Sequence, residues 1–270
     1  MLRQNRPSFL SVICTIFFMA AIPAMTSAAE ARDMRLEYRA QWGNVNLALS
    51  EARWQFSDTD YSLTSTTQSK GSLAFAFKFE GEVRLKGQIT DGQHQPLQLF
   101  SGSTGKRGVW TADTSWRADG QLIGTERDPE LDLEEVFPLD PETLDGTIDP
   151  YSAMLNALTA LQETGSCAGS WALYDGRRRT DMHLHDMGET DVKSDRPWAY
   201  AGKAHICGVD TKPLGGHMRE SRWRSEDEDP NRVKVYIAQF APDLLIPVRI
   251  EIDGFLGDVI VRLNVRDSDF

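Results

Sequence analysis

Residues 34–56, MRLEYRAQWGNVNLALSEARWQF, carry two runs of alternating side chains around a Gly-Asn pair. Leu36, Tyr38, Ala40 and Trp42 alternate with charged or polar residues, and Gly43-Asn44 turns the chain. Val45, Leu47 and Leu49 resume the alternation, and its phase has shifted by Ala52, Trp54 and Phe56. Period-2 alternation puts one set of side chains on a buried face and the other in water, so this is a β-hairpin. The same pattern continues. Asp58-Thr59-Asp60 turns into Tyr61–Gln68, Leu73–Phe79 is almost continuously apolar, and Val83, Leu85 and Ile89 alternate after Gly81. Asp91-Gly92 is a hairpin signal, as is Asp119-Gly120 after the strand Val109–Trp116. Further strands follow at 171–174, 177–187, 200–209, 232–240, 246–253 and 258–265. Turns every eight to twelve residues predict an antiparallel meander in a sheet, sandwich or barrel.

One segment breaks the rhythm. Residues 128–149 hold nine acids, no base and three prolines before Pro150, and have no sustained period. A loop of that length reads as an ordered surface crossover or a lid. It ends at a helix start: Asp149 can cap free backbone N–H groups, and Pro150 fits the first helical position. Tyr151, Met154, Leu155, Leu158 and Leu161 then form one apolar helical face, and Gly165 can end the helix in a left-handed conformation. The stripe predicts a helix over about 150–163 packed on or in the sheet.

The first residues give an address. Arg3 and Arg6, an apolar run Phe9–Pro23 and the small residues Ser27, Ala28 and Ala29 form a secretory signal peptide, with cleavage near Ala28-Ala29. The run is short for a permanent anchor, and nothing later approaches membrane-spanning length. The expectation is therefore export to the periplasm of residues 30–270 as a single domain with no membrane span. Loss of Arg3 and Arg6 takes the formal charge from −11 to −13. Such a surface repels nucleic acid and anionic headgroups. Cys14 leaves with the signal, so Cys167 and Cys207 remain in an oxidising compartment and are expected to pair.

Candidate chemistry is sparse. On a strand after Asp175-Gly176, Arg177, Arg179, Asp181, His183 and His185 would share one face. Asp181, His183 and His185 are the nearest approach to a metal-ligand pattern, weakened by the cation beside them. Arg177 and Arg179 read better as an anion or partner contact, the simplest partner being the protein's own acidic segment. Glu226–Asp229 reads as a solvated hairpin tip, lacking calcium-loop spacing. His94, His205 and His217 show no partner in the sequence. No nucleophile elbow, zinc-protease motif, phosphate loop or nucleotide fingerprint is present. No cofactor is predicted.

The order of several motifs resembles a known family. Tyr38-x-x-x-Trp42-Gly43, Ile148-Asp149-Pro150-Tyr151-Ser152, Cys167 and Tyr174-Asp175-Gly176-Arg177-Arg178-Arg179 come first. Cys207, Ile246-Pro247-Val248-Arg249-Ile250 and Leu256-Gly257 complete the series. Together they are similar to the domain-of-unknown-function family 3108, exported proteins of proteobacteria, although Thr180 stands where that family would place an aromatic residue. The resemblance implies a periplasmic, mostly β protein with a curved antiparallel sheet, and it transfers no catalytic residue. The fold expected is all-β: a single domain whose long curved sheet forms an open barrel or spiral around one short helix. The function expected is non-enzymatic, an envelope protein binding a partner protein or an amphipathic, lipid-like ligand. The seven tryptophans and the acidic segment motivate that reading. The alternative is a hydrolase of envelope polysaccharide or peptide, which requires a carboxylate pair, or a His with a nucleophile, in one cleft.

Overall fold

The computed structural model describes residues 32–71, 74, 78–106, 108–219, 232–254 and 257–270. The predicted signal peptide, the acidic tip Glu226–Asp229, most of the apolar run Leu73–Phe79 and Leu256 lie outside the described residues. Seven strands run in sequence: β1 (Arg32–Trp42), β2 (Val45–Phe56), β3 (Asp60–Ser69), β4 (Phe79–Thr90), β5 (Gln93–Gly105), β6 (Gly108–Trp116) and β7 (Leu122–Asp128). The acidic crossover follows, interrupted by a 3-10 turn at Pro141–Leu144, and then helix α1 (Pro150–Thr164). Six more strands complete the chain: β8 (Gly169–Tyr174), β9 (Arg179–Val192), β10 (Gly202–Gly215), β11 (Val233–Ala241), β12 (Leu244–Ile252) and β13 (Val259–Leu263).

All thirteen strands form one antiparallel sheet, ordered β7-β6-β5-β4-β3-β2-β1-β13-β12-β11-β10-β9-β8. Two meanders are thus joined where β13 returns to pair with β1, Tyr38 opposite Leu263 and Trp42 opposite Val259. The phase shift in the opening hairpin is a bulge. Ala40 pairs with Ala48 but Gln41 with Asn46, so Leu47 is the extra residue. Ser50, Ala52, Trp54 and Phe56 consequently face inward, and Leu49 lies opposite Arg39 on the outer face.

The sheet curls into an open barrel whose terminal strands, β7 and β8, do not pair with each other. Side chains and a short piece of the crossover hold this seam. Ile148 N donates to Ala172 O (2.9 Å) and Tyr174 N to Ile148 O (2.9 Å), which covers the β8 edge. Trp116 Nε1 donates to Thr147 O (3.0 Å) from the β6 side. Arg127 of β7 donates through Nε to Gly176 O (2.6 Å) and through Nη2 to the Tyr174 hydroxyl. Gly176 sits at φ +88°, and a Cβ there would meet Thr114 Oγ1 at 2.7 Å and Ala112 Cβ at 2.9 Å. Only glycine permits both that backbone conformation and that approach.

Helix α1 plugs one end of the barrel. Asp149 caps it, Pro150 occupies the first turn, and Gly165 at φ +76° ends it with its N–H on Leu161 O. The predicted apolar stripe divides on packing. Leu155 joins the main core with Trp54, Leu63, Leu85, Leu99 and Trp116, and Leu161 packs in a second cluster with Cys167, Cys207 and Ile237. Asn156 anchors the helix to β5 by completing a strand-like pair: Oδ1 accepts from His94 N (2.7 Å) and Nδ2 donates to His94 O (3.1 Å).

Candidate functional site

Residues opposite one another in an antiparallel register project to the same face, so the inward side chains of β1–β6 form rings stacked along the barrel. In the first ring considered, Met34, Trp54, Leu63, Leu85, Leu99 and Thr114 are successive register partners. These side chains are all buried and are the largest of the inward set. The next ring is Leu36, Ala52, Ser65, Val83, Ser101 and Ala112. Beyond it come Tyr38, Ser50, Thr67, Gly81, Ser103 and Trp110. Alanine, serine, threonine and glycine dominate the outer two rings and leave space that the first ring does not.

The result is a cavity of about 1670 Å³ within the barrel. Met34, Trp54, Phe56, Met154, Leu158 and Ile246 line it towards the helix, while Ser50, Thr67, Ser101 and Ser103 line it towards the other end. It reaches the surface at both ends. Beside the helix the rim holds Asp58, Gln162 and the Arg32–Asp243 ion pair (2.6 Å). At the opposite end stand Lys78, Lys106 and the exposed Val109. The lining is thus graded along the axis, apolar under the helix and hydroxyl-rich at the far mouth. Trp54 and Trp110 line the cavity, whereas Trp42 is exposed on the outside and Trp223 lies outside the described residues. The tryptophans do not act as one set.

Residues 129–136 of the acidic segment run along the far mouth. They are strapped down at their end: Phe137 N donates to His217 O (2.9 Å), Gly216 N to Phe137 O (2.9 Å) and Arg219 N to Glu135 O (2.8 Å). Val136 is buried under this strap while Leu133 stays exposed.

A polar chain crosses the helix end of the barrel. Asp149 is wholly buried, and its Oδ1 accepts from Tyr151 N (2.8 Å) and Ser152 N (3.1 Å). Ser152 Oγ donates to Asp149 Oδ2 and lies 2.5 Å from the Tyr61 hydroxyl. Burial pushes the Asp149 carboxyl up to about 6, against the opposing pull of these hydrogen bonds. Burial also raises the Tyr61 phenol, helped by the Asp149 charge. His94, edge-on to Tyr61, is held below its ordinary pKa by burial, partly offset by Asn156. His94 lines the cavity, but Asp149 is occupied as a helix cap.

The sequence-picked residues are distributed differently from the expectation. Arg177 is in the β8–β9 turn rather than on the strand. It stacks over Trp110 (5.7 Å) and donates to Met218 Sδ (3.5 Å) at the cavity mouth. Arg179 is buried, donating from Nε to Thr143 O (2.7 Å) and pairing with Asp181 (2.7 Å). It does contact the acidic segment, through a carbonyl rather than a carboxylate. His183 Nδ1 meets Ser170 Oγ (2.8 Å) and His185 faces Asp210 (3.6 Å), so Asp181, His183 and His185 are each held by a different neighbour. The scattered histidines have partners that only the fold supplies. His205 Nε2 lies 2.6 Å from Asp186 Oδ2, and His217 contacts Thr180 Oγ1 (3.1 Å) and Gly215 O (2.8 Å). Cys167 and Cys207 form a disulfide, with Cα atoms 6.2 Å apart, joining the exit of α1 to β10.

A family described as "Protein of unknown function (DUF3108)" matches residues 37–264. The chain belongs to this family. The matched span of this DUF3108 protein runs from within β1 to just past β13 and includes the helix and the seam. A crystal structure of a β-barrel-like protein of domain of unknown function DUF1849 from Brucella abortus is similar over 86% of this chain and 95% of its own. The identity is 10% and the TM-score 0.48. No curated protein matches this DUF3108 chain. Among its described residues, no helix is long and apolar enough to cross a membrane.

Proposed function

We propose that the barrel holds an amphipathic, lipid-like molecule, as an exported protein of the periplasmic envelope. The supporting observation is the graded cavity: about 1670 Å³ left open by small inward residues, apolar beneath α1 and hydroxyl-lined at the far mouth. Ligand pockets of this kind are largely preformed and mostly apolar, with a few polar groups that set orientation. An apolar chain seated between Trp54, Phe56, Met154 and Leu158 gains on the order of 0.8 kcal/mol per methylene removed from water. Its polar end would then lie among Ser50, Thr67, Ser101 and Ser103. Arg177, stacked on Trp110 at that mouth, is positioned to meet it. Export and signal cleavage belong to the same reading, resting on the basic head, apolar run and small-residue exit of residues 1–29.

The test pairs titration with a fluorescent apolar probe, N-phenyl-1-naphthylamine, with mass spectrometry of what co-purifies from the native source. Wild-type protein should take up the probe, and Ala52→Trp, which fills the middle ring, should weaken uptake by about tenfold or more without lowering the melting temperature. Probe binding equal in both proteins, or absent from both, would overturn the reading. Recovery of a stoichiometric protein partner with an empty barrel would replace ligand carriage with a protein-interaction role.

A further inference from the structure

The geometry points to a zinc site in the chain before its disulfide closes, built from Cys167, Cys207 and His205 with Asp186. The two sulfurs and an imidazole nitrogen of His205 lie within 4.8 Å of one another. Asp186 Oδ2 is 4.0 Å from Cys167 Sγ, 3.2 Å from Cys167 N and 2.6 Å from His205 Nε2. Three zinc-type donors therefore converge, with the Asp186 carboxylate beside two of them. Tetrahedral zinc, with bonds of about 2.0–2.3 Å, needs donors roughly 3.3–3.8 Å apart, so shifts of about 1 Å complete the site.

Several elements bring these groups together. Cys207 and His205 are two apart on β10, Asp186 is the register partner of Cys207 on β9, and Cys167 arrives from the exit of α1. The register slips between His205 and Cys207, and Asp186 reaches His205 across that bulge. The cysteines are buried, whereas the His205 and Asp186 side chains are 14% and 28% exposed, which leaves an approach for the ion from one side.

The metal and the disulfide are alternatives at one position. Zinc binding to the dithiol releases two protons from the sulfurs. Closure requires an oxidant of the disulfide class. The two thiolates give up two electrons and form the Cys167–Cys207 bond, the oxidant's disulfide takes those electrons with two protons and becomes two thiols, and zinc leaves. Either state clips the end of α1 to β10, so the unoxidised chain is fastened there and its thiols are kept from other partners.

The full chain, reduced with a phosphine under nitrogen, should bind one cobalt ion with tetrahedral visible bands and a thiolate-to-cobalt charge-transfer band. Oxidised glutathione should abolish both as the disulfide re-forms, and zinc should displace cobalt. His205→Gln should weaken binding at least tenfold, while in its oxidised form it keeps the wild-type circular dichroism. No binding by the reduced chain, no charge-transfer band, or equal affinity in His205→Gln overturns the proposal. If reduction unfolds the chain, zinc must restore the native circular dichroism, and failure to do so overturns it equally.

Discussion

Arg127→Ala tests whether the barrel is held shut at its seam by one side chain. β7 and β8 are the terminal strands of the order, so no ladder of backbone hydrogen bonds joins them. Arg127, 16% exposed, reaches across with Nε on Gly176 O (2.6 Å) and Nη2 on the Tyr174 hydroxyl. A hydrogen bond to a charged donor contributes about 1.5–3 kcal/mol. Gly176 O keeps one donor after the change, the Tyr174 hydroxyl at 3.1 Å, which discounts the loss. The 3.8 Å contact with the 79% exposed Glu130 adds little. The expected destabilisation is therefore about 2–4 kcal/mol by urea unfolding, with Arg127→Lys intermediate because an ammonium cannot satisfy both acceptors in a fork. Amide exchange in β7 and β8 should accelerate before that in β1 or β13. The control is Arg53→Ala on the outer face, whose pair with Asp33 is nearly half exposed at both ends and screened by water. If Arg127→Ala costs no more than Arg53→Ala, the clasp does not hold the seam and the argument fails.

Three further outcomes follow from the helix and its clip. The folded pKa of Asp149, about 6, stands above its ordinary 3.8, so its stabilising effect is fully present below pH 3.8 and is lost as pH rises through 6. The loss is on the order of 3 kcal/mol. Asp149→Asn keeps the capping oxygen, and the difference between its pH–stability curve and the wild type's should span that window. A flat difference would refute the shift. Asn156→Ala removes the partners of both backbone groups of His94 and should cost about 2–4 kcal/mol in chemical denaturation, a cost that Asn156→Asp should only partly restore because it returns the acceptor alone. Cys167→Ala should lower stability by about 4 kcal/mol in the chain-entropy model, roughly 10 °C in melting temperature, and an unchanged transition in non-reducing buffer would argue against the bridge.

The local signals in the sequence translated directly into structure. Asp149-Pro150 and Gly165 bound a helix because capping and left-handed termination are properties of a few neighbouring residues. Gly43-Asn44, Asp91-Gly92 and Asp119-Gly120 mark strand connections for the same reason. Non-local features were less legible. The return of β13 to β1 joins residues over two hundred positions apart, and no local pattern encodes that register. The bulge at Leu47 reverses which residues of β2 face inward, so reading Leu49 from alternation alone gives the wrong face. Arg177 belongs to the turn because strand pairing begins two residues later, at Arg179 opposite Tyr174. The cavity was written in the sequence but not as a hydrophobic signal. It lies in Ala52, Ser65, Ser101, Gly81 and Ser103 at inward positions, residues that look unremarkable until the register stacks them.

That stacking is the strongest reason to regard the empty space as selected rather than as loose packing. Voids in protein interiors are few and small, and replacing a small inward residue with a leucine that fits contributes about 1.5–3 kcal/mol of burial. This chain uses such residues in the first ring, where Trp54, Leu63, Leu85 and Leu99 are at most 4% exposed. Two and then four residues further along each strand the same positions become Ala52 and Ser50, Ser65 and Thr67, Val83 and Gly81, and Ser101 and Ser103. The change occurs on four neighbouring strands at the same height. A poorly packed core would scatter its gaps, whereas these are aligned and open at a mouth bordered by Arg177 and the strapped acidic segment. Stability alone would favour closing that space with larger side chains. On the proposed reading a bound molecule completes the core, so the ligand-filled protein should melt higher than the empty one by an amount that grows with ligand concentration.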